Sequence, residues 1–258
     1  MSLPDQQKII GIVGGMGPMS GVLLQKLIID LTQADTDQKH LLVITYTNPQ
    51  IPDRTKSLLG PSRGNDFVVA IADTANILAR AGATVIGIPC NTSHAKYAEI
   101  QSAVPVPIIN MVEKTIEVLE KENVGKVGLL ATDGTIRTSV YSKTSHNISW
   151  ILPNKEDQEN IMQLIYGIKS GLPFNKKIIL NVCENLVSRG ADRIVLGCTE
   201  ISLLYTTISA YFSTTDSLRT LAQSLVSYTA PTTQVLPPPS SVHEIYYKRA
   251  NQRVLEKR

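Results

Sequence analysis

Two cysteines, Cys90 and Cys198, stand at matching places in the sequence and could do chemistry together. Each closes a run typical of a buried strand, VIGIPC or RIVLGC, and each is followed by polar residues. Because ligands bind beyond the carboxyl ends of the strands in open parallel sheets, we expect both thiols at the rim of a cleft. Unpaired cysteines are more often buried as small apolar residues, but the matched positions favour a functional pair here.

A pair of opposed thiols suits the removal of a proton from carbon and its replacement on the other face. A free cysteine has a pKa of about 8.5, so only a small fraction is thiolate at neutral pH, and a helix N-terminus makes the thiol a stronger acid. One thiolate can take the proton while the opposite thiol supplies another, which inverts a stereocentre. A disulfide oxidoreductase would need neighbouring cysteines, which the sequence does not provide.

Composition and charge argue against several other classes of protein. The 258 residues carry 25 Lys and Arg against 22 Asp and Glu, and the net charge of +3 comes entirely from residues 231–258. A near-neutral body argues against nucleic acid or an anionic membrane as the main partner. No apolar run approaches the roughly 18 residues of a membrane helix, and the N-terminus lacks the pattern of a signal peptide, so we expect a cytoplasmic protein.

The remaining cysteine and the histidines carry no predicted site of their own. Cys183 lies on an apolar helical stripe with Ile179 and Leu186 and is expected to be structural. Three cysteines are an odd number, which favours a reducing compartment over a disulfide framework. The four histidines show no metal-ligand spacing, so no metal is expected.

Short β-branched runs alternate with longer segments of helical period along the chain. Strands are predicted at residues 8–14, 41–47, 84–88, 126–131 and 193–196. Strands that alternate with helices predict βαβ units and parallel sheets. The predicted fold class is therefore α/β, with two pseudo-symmetric, doubly wound parallel-sheet domains and the active site in the cleft between them.

The chain also repeats itself weakly, which predicts the two related halves. Residues 81–92 align with 189–200, which superimposes Cys90 on Cys198, and residues 10–17 align with 127–134. The predicted organisation is a first α/β domain at 1–113, a second at 114–209, a segment at 210–230 that packs back onto the first domain, and a Pro-rich linker with a basic tail at 231–258.

Six blocks of sequence together resemble the signature blocks of a known family. They are GIVGGMGPMSG (11–21), NPQIPDRT (48–55), IPCNTSH (88–94), ATDGTIRTSVY (131–141), YGIKSG (166–171) and LGCTEI (196–201). In this order they are similar to the aspartate/glutamate racemase family over residues 9–228. The spaced pair of cysteine blocks is the specific part of the match, whereas the glycine-rich block alone would be weak.

The resemblance implies a fold of two pseudo-symmetric α/β domains, a reaction and a set of residue roles. Cys90 and Cys198 match the family's two cysteines, which act as acid and base without pyridoxal phosphate, so no cofactor is expected. Arg54 and Lys169 match residues that hold substrate carboxylates. The blocks that line the family's pocket contain, in this sequence, Met16, Asn91, Thr92, Ser93, Thr132, Thr135 and Thr199. The implied partners are a small amino-acid substrate and a second copy of the chain in a homodimer.

The chemistry of these residue types agrees with such roles. The forked guanidinium of Arg54 suits a carboxylate, and two cations near the cleft suit a dicarboxylic amino acid. The hydroxyl-rich clusters begin predicted helices, whose free N–H groups can hold the α-carboxylate as charge builds on it. His94 and Glu200 closely follow their cysteines, and each is expected to tune a thiol or to bind the substrate ammonium group.

The sequence thus predicts racemisation of an acidic amino acid, most of all aspartate, and leaves alternatives open. Glutamate or a broader set of amino acids would use the same residues. A related thiol-dependent decarboxylase or isomerase would keep the fold, although two cysteines favour inversion. A non-catalytic amino-acid-binding protein would still bind its ligand after alkylation of the thiols. A nicotinamide-dependent oxidoreductase fits poorly, because in GMGPMS Ser20 stands at the third glycine position and Pro18 interrupts the turn.

Overall fold

The computed structural model describes residues 8–60, 66–173 and 175–229, and within these ranges the strands form two parallel sheets. The first sheet holds β1 (Ile9–Gly14), β2 (Leu42–Thr47), β3 (Val85–Gly87) and β4 (Ile108–Ile109); the second holds β5 (Lys126–Leu130), β6 (Ser149–Ile151), β7 (Arg193–Leu196) and β8 (Thr214–Asp216). The strand orders, β2-β1-β3-β4 and β6-β5-β7-β8, are equivalent. The predicted α/β class with two pseudo-symmetric parallel sheets is confirmed.

Helices connect the strands and cover the sheets. They are α1 (Pro18–Leu31), α2 (Arg54–Leu59), α3 (Asp66–Arg80), α4 (Tyr97–Ser102), α5 (Met111–Lys121), α6 (Asp133–Arg137), α7 (Val140–Thr144), α8 (Lys155–Lys169), α9 (Lys176–Ser188), α10 (Tyr205–Ser209) and α11 (Ser217–Thr229). Short 3-10 helices at Asn91–Lys96 and Ile201–Leu204 follow the two cysteine-bearing strands. Among the described residues, no helix combines the length and apolarity that spanning a membrane requires.

The core consists of buried clusters on both faces of the sheets. One cluster contains residues of both sheets, such as Ile12 and Leu129, together with Leu119 of α5 and Leu225 of α11. Helix α11 packs against both α1 and α5, so the last helix of the chain contacts elements from the beginning and the middle. This packing fixes the relative position of the two sheets. The domain boundaries proposed from the sequence stay a prediction.

Two strands of the second sheet were not predicted from the sequence. β6 (SWI) and β8 (TTD) are three residues long and lie at the two edges of that sheet. A strand of three residues is too short to show a hydrophobic period, so nothing in the local sequence distinguishes it from a loop. The predicted tail at 231–258 lies outside the described residues.

Gly128 is expected to be required for the packing of the second sheet. An added Cβ would lie 2.8 Å from Ile194 Cδ1 and 3.1 Å from Leu186 Cβ, so β5 and α9 would have to separate. Such overpacking costs about 1–3 kcal/mol of the free energy of unfolding. Gly128→Ala should lower the urea midpoint accordingly, whereas Gly125→Ala, where a Cβ meets nothing within 4 Å, should leave it nearly unchanged. Equal midpoints for the two variants would contradict this account.

Candidate active site

A cleft lies at the carboxyl ends of the strands, where loops from both sheets meet. Cys90 follows β3 and Cys198 follows β7, which are equivalent strands of the two sheets. The cleft is lined by Met16, Asp53, Arg54, Thr55, Cys90, Asn91, Thr92, Thr132, Lys169, Cys198, Thr199 and Glu200. Its volume is about 10 Å³, which is room for about one water molecule. The cleft is therefore closed, and its side chains must part before an amino acid can enter.

The loops that carry the two cysteines are tied to each other. The Thr199 hydroxyl donates to the carbonyl oxygen of Pro89 over 3.2 Å, and the Ser20 hydroxyl donates to Thr199 Oγ1 over 2.8 Å. Thr199 directly follows Cys198, and Pro89 directly precedes Cys90. Both cysteines are 5% exposed. Two buried thiols, one from each half of the chain, therefore share one cleft.

Cys198 has a carboxylate within hydrogen-bond reach. Its thiol donates to Glu200 Oε2 over 3.1 Å, while Glu200 Oε1 accepts the Gly17 N–H over 2.9 Å and lies 4.0 Å from Lys169 Nζ. Burial raises the pKa of the Cys198 thiol well above its usual range, the charge of Glu200 raises it further, and Lys169 acts in the opposite direction. Cys198 is therefore protonated at rest, and its thiol is positioned to pass its proton to Glu200.

Cys90 differs from Cys198, because among the described residues its neighbours form hydrogen bonds with its backbone and not with its thiol. Its carbonyl oxygen accepts hydrogen bonds from Ser93 Oγ over 2.7 Å and from His94 Nδ1 over 2.9 Å, while His94 Nε2 accepts the Met111 N–H over 3.3 Å. Burial lowers the pKa of His94 to about 4, so the ring is neutral at pH 7. Ser93 and His94 thus contact the backbone of Cys90 and are not among the residues that line the cleft, and the substrate and thiol contacts expected of them stay predictions.

Three threonine hydroxyls join the two halves at the cleft. Thr92 Oγ1 lies 2.9 Å from Thr132 Oγ1 and 3.0 Å from Thr135 Oγ1, and the latter two oxygens are 3.1 Å apart. Thr132 is also the N-cap of α6, because its side chain accepts the Thr135 N–H. Thr92 and Thr132 line the cleft, and Thr135 completes the cluster behind them. Hydroxyl groups rotate, so this cluster can turn its donors toward a carboxylate that enters.

Asn91 is held by side chains that the sequence analysis did not single out. The Tyr141 hydroxyl donates to Asn91 Oδ1 over 2.6 Å, and Asn91 Nδ2 donates to Ser217 Oγ over 2.9 Å. Ser217 in turn donates to the carbonyl oxygen of Leu196 over 2.7 Å. Tyr141 closes the block ATDGTIRTSVY, which was the available signal for it. These bonds fix the amide that follows Cys90.

Arg54 brings a buried cation to the cleft, and Lys169 brings a second. Arg54 begins α2, is 7% exposed, and donates from Nη1 to the carbonyl oxygens of Ile51 over 3.2 Å and Pro52 over 2.8 Å. Its Nε is buried with no hydrogen-bond partner. A buried guanidinium N–H without an acceptor is costly, and a substrate carboxylate would supply the acceptor. Lys169 ends α8 and lies on the Glu200 side of the cleft.

Asp53 lines the cleft, and Tyr166 of α8 joins it to the other half of the chain. Asp53 caps α2 by accepting the Lys56 N–H over 2.9 Å, and the Tyr166 hydroxyl donates to Asp53 Oδ2 over 3.1 Å. Burial acts to raise the pKa of Asp53, but the Lys56 hydrogen bond and the charges of Arg54 and Lys169 outweigh it and lower that pKa. Asp53 is therefore a carboxylate at neutral pH. Neither residue was predicted, although Asp53 adjoins Arg54 and Tyr166 opens the YGIKSG block.

Comparison with known proteins assigns the chain to a family. Residues 13–225 match the family described as Asp/Glu/hydantoin racemase. The broad specificity amino-acid racemase RacX of Bacillus subtilis (strain 168) is 31% identical over 228 residues, which cover 85% of this chain and 97% of that protein. A glutamate racemase of Deinococcus radiodurans is 29% identical over 147 residues, which cover 55% of this chain and 50% of that protein.

The fold has a similar counterpart among solved structures. Picrophilus torridus aspartate racemase matches with a TM-score of 0.76 and 28% identity, over 89% of this chain and 96% of that chain. These likenesses confirm the resemblance noted in the sequence and indicate an isomerase that racemises amino acids. Because the match extends over most of its length, the chain belongs to the Asp/Glu/hydantoin racemase family.

Proposed function

We propose that this chain racemises an acidic amino acid, aspartate first of all, with Cys90 and Cys198 as the two acid–base groups. The observation that carries the proposal is the position of both thiols in one cleft, each after an equivalent strand, together with Arg54 and Lys169. Thiols that come from two related halves can address opposite faces of one α-carbon. Two cations in the same cleft suit an amino acid with two carboxylates.

The reaction needs one thiolate and one thiol. The thiolate takes the α-proton and becomes a thiol, and the electron pair left on carbon is shared with the α-carboxylate. The opposite thiol then gives its proton to the other face of the carbon and becomes a thiolate, so atoms and charge balance. The hydroxyls of Thr92 and Thr132, which lie 2.9 Å apart in the cleft, can donate to the carboxylate as it gains charge.

Glu200 supplies a base on the Cys198 side. The Cys198 thiol already donates to Glu200 Oε2, so transfer of that proton gives a thiolate and a neutral carboxylic acid with no change in total charge. A closed cleft favours such a transfer over loss of the proton to bulk water, because an uncompensated charge is costly in a medium of low dielectric constant. Within the described residues, the hydrogen bonds of Cys90 involve its backbone N–H and carbonyl oxygen and not its thiol. The two thiols are therefore unequal.

The charges of the cleft support an acidic substrate. Arg54 and Lys169 can each meet one carboxylate, and the carboxylates of Asp53 and Glu200 are available to the substrate ammonium group. The guanidinium of Arg54 is already anchored by two carbonyl oxygens and keeps Nε free of partners.

A broader substrate range is the second candidate function. It is favoured by the 31% identity with RacX, whose name states broad specificity. An enzyme of that kind would bind the α-carboxylate and the ammonium group and would depend little on a second carboxylate. Equal rates with aspartate and with an apolar amino acid would favour it.

Proton NMR of L- and D-aspartate in D₂O, with and without the protein, tests the proposal. We expect loss of the α-proton signal together with appearance of the opposite enantiomer in chiral chromatography. The same measurement on both glutamates and both alanines ranks the candidate substrates. No exchange with any of these amino acids, from protein whose cysteines are reduced, would overturn the proposal. Light scattering on the same sample checks the proposed homodimer, for which about twice 28.2 kDa is expected.

Tyr166→Phe is expected to lower the KM of the amino acid roughly twofold to tenfold. The hydrogen bond from Tyr166 to Asp53 helps to hold the substrate-free cleft closed, and one such bond contributes about 0.5–1.5 kcal/mol. An amino acid enters only after the cleft opens, so weakening the closed state increases the fraction of protein that can bind it and raises the apparent affinity. Steady-state kinetics measures the change. Tyr211→Phe, at an exposed tyrosine outside the cleft lining, should leave KM unchanged, and the same KM in both variants would contradict a closing role.

A further inference from the structure

A second cavity lies on the second sheet, apart from the catalytic cleft. It has a volume of about 190 Å³ and lies where α6 and α7 meet the β5–β6 side of the sheet. These helices have only five residues each, so they cover the edge strand β6 incompletely. The cavity is bounded on the sheet side by Leu129, Trp150 and Leu152 and on the helix side by Ile136, Tyr141 and Ser142.

The volume of this cavity and its uncharged lining suit an uncharged ligand about the size of one benzene ring. None of the described residues that line it is charged, so a charged group would lose its hydration there without gaining a partner. Trp150 packs against Tyr141 with ring centroids 5.1 Å apart and planes tilted by 55°, and a further aromatic ring can extend this arrangement. An apolar cavity of about 150 Å³ is known to hold benzene. One polar substituent can meet the hydroxyls of Ser139 and Ser142, of which the Ser142 hydroxyl also donates to the carbonyl oxygen of Ser139 over 3.3 Å.

Two residues of this cavity also belong to the hydrogen bonds of the catalytic cleft. Thr135 Oγ1 lies 3.0 Å from Thr92 Oγ1, and the Tyr141 hydroxyl donates to Asn91 Oδ1 over 2.6 Å. Asn91 and Thr92 directly follow Cys90 in the chain. A ligand that displaces the Tyr141 ring or turns the Thr135 hydroxyl therefore changes the donors beside that thiol.

We propose that this cavity is a second binding site, for a small uncharged aromatic molecule with one hydrogen-bonding group, and that its occupation alters the catalytic cleft through Tyr141 and Thr135. The site is independent of which amino acid the cleft racemises. Its effect on the cleft is a coupling between two sites, measured as the change that one ligand makes to the affinity of the other.

Phenol is a suitable probe of this site, and Trp150 is its reporter, because it is the single tryptophan of the chain. Titration of the full chain with phenol should change the tryptophan fluorescence in a saturable way. Ser142→Phe places a ring in the cavity from an exposed position of α7 and should weaken phenol binding about tenfold or more. Thr144→Phe, exposed on the same helix but outside the lining, should leave binding unchanged. Benzoate should bind about tenfold more weakly than phenol, because its charge finds no partner.

Kinetics in the presence of saturating phenol tests the coupling. The KM of the amino acid should shift about fivefold in the unmodified protein and in Thr144→Phe, but not in Ser142→Phe. A fluorescence change that does not saturate, or one that survives Ser142→Phe, would overturn the binding site. A saturated site with unchanged kinetic constants would overturn the coupling.

Discussion

Replacing either cysteine of the cleft is expected to abolish inversion but to leave proton exchange on one face. Cys90→Ala and Cys198→Ala should each lower the rate of racemisation on the order of 10³-fold, because each removes one of the two proposed acid–base groups. The remaining thiol can still take the α-proton from the enantiomer that presents it and return a deuteron to the same face. In D₂O each variant should therefore exchange the α-proton of one enantiomer only, and the two variants should select opposite enantiomers.

Proton NMR for exchange and chiral chromatography for inversion separate these two outcomes. Cys183→Ala is the matched control, because Cys183 is buried in α9 among Ile179, Val182 and Leu186 and does not line the cleft. Burial raises the pKa of the Cys183 thiol to about 12, so it takes no part in proton transfer near neutral pH. This variant should racemise at nearly the original rate. Exchange of the same enantiomer by both cleft variants would contradict the assignment of the two thiols to opposite faces.

The central strands could be predicted from the sequence because both of their faces are buried. The segments IIGIVG of β1 and KVGLL of β5 are nearly continuous apolar runs, as expected for parallel strands covered by helices on both sides. The internal repeat aligned Gly11 with Gly128, and the structure gives the physical reason. At either position a Cβ would lie within 3 Å of an isoleucine of the neighbouring strand. The edge strands β6 and β8 form only through pairing with β5 and β7, so their own residues carry no comparable signal.

The site could be predicted where short motifs carry it, and not where contacts join distant segments. The bond between Asp53 and Tyr166 spans 113 residues, so only the folded chain reveals it. His94 shows a different limit. Its place four residues after Cys90 predicts that it tunes the thiol or binds the substrate ammonium group, and only the folded chain shows that the 3-10 turn at Asn91–Lys96 directs its ring to the Cys90 carbonyl oxygen and the Met111 N–H. Spacing along the chain predicts which residues lie near each other, but it does not predict which atoms they contact.

Glu200→Gln is expected to lower kcat about 10²-fold, because an amide cannot accept the proton of the Cys198 thiol. The same change removes a negative charge that raises the pKa of Cys198, so the pKa of this thiol should fall. Because the proposed reaction needs the Cys198 thiolate in one direction, kcat should rise with pH toward the pKa of this thiol, and in the variant this rise should move to lower pH while the maximum of kcat decreases. The two enantiomers have equal free energy, so kcat/KM must decrease by the same factor for the L-to-D and the D-to-L reaction. A difference between the two thiols therefore appears only in kcat and in KM taken separately.

A pH profile of kcat for each enantiomer distinguishes this role from a structural one. Glu122→Gln is the matched control, since Glu122 pairs with Arg193 outside the cleft and should change neither the maximum nor the position of the profile. Glu200→Asp keeps the charge but shortens the reach to the thiol. It should therefore keep the pH at which kcat rises and recover part of the rate. If Glu200→Gln moves the profile and leaves its maximum unchanged, Glu200 acts through its charge alone. The proton of Cys198 must then leave by way of water, and the closed cleft would have to open during each turnover.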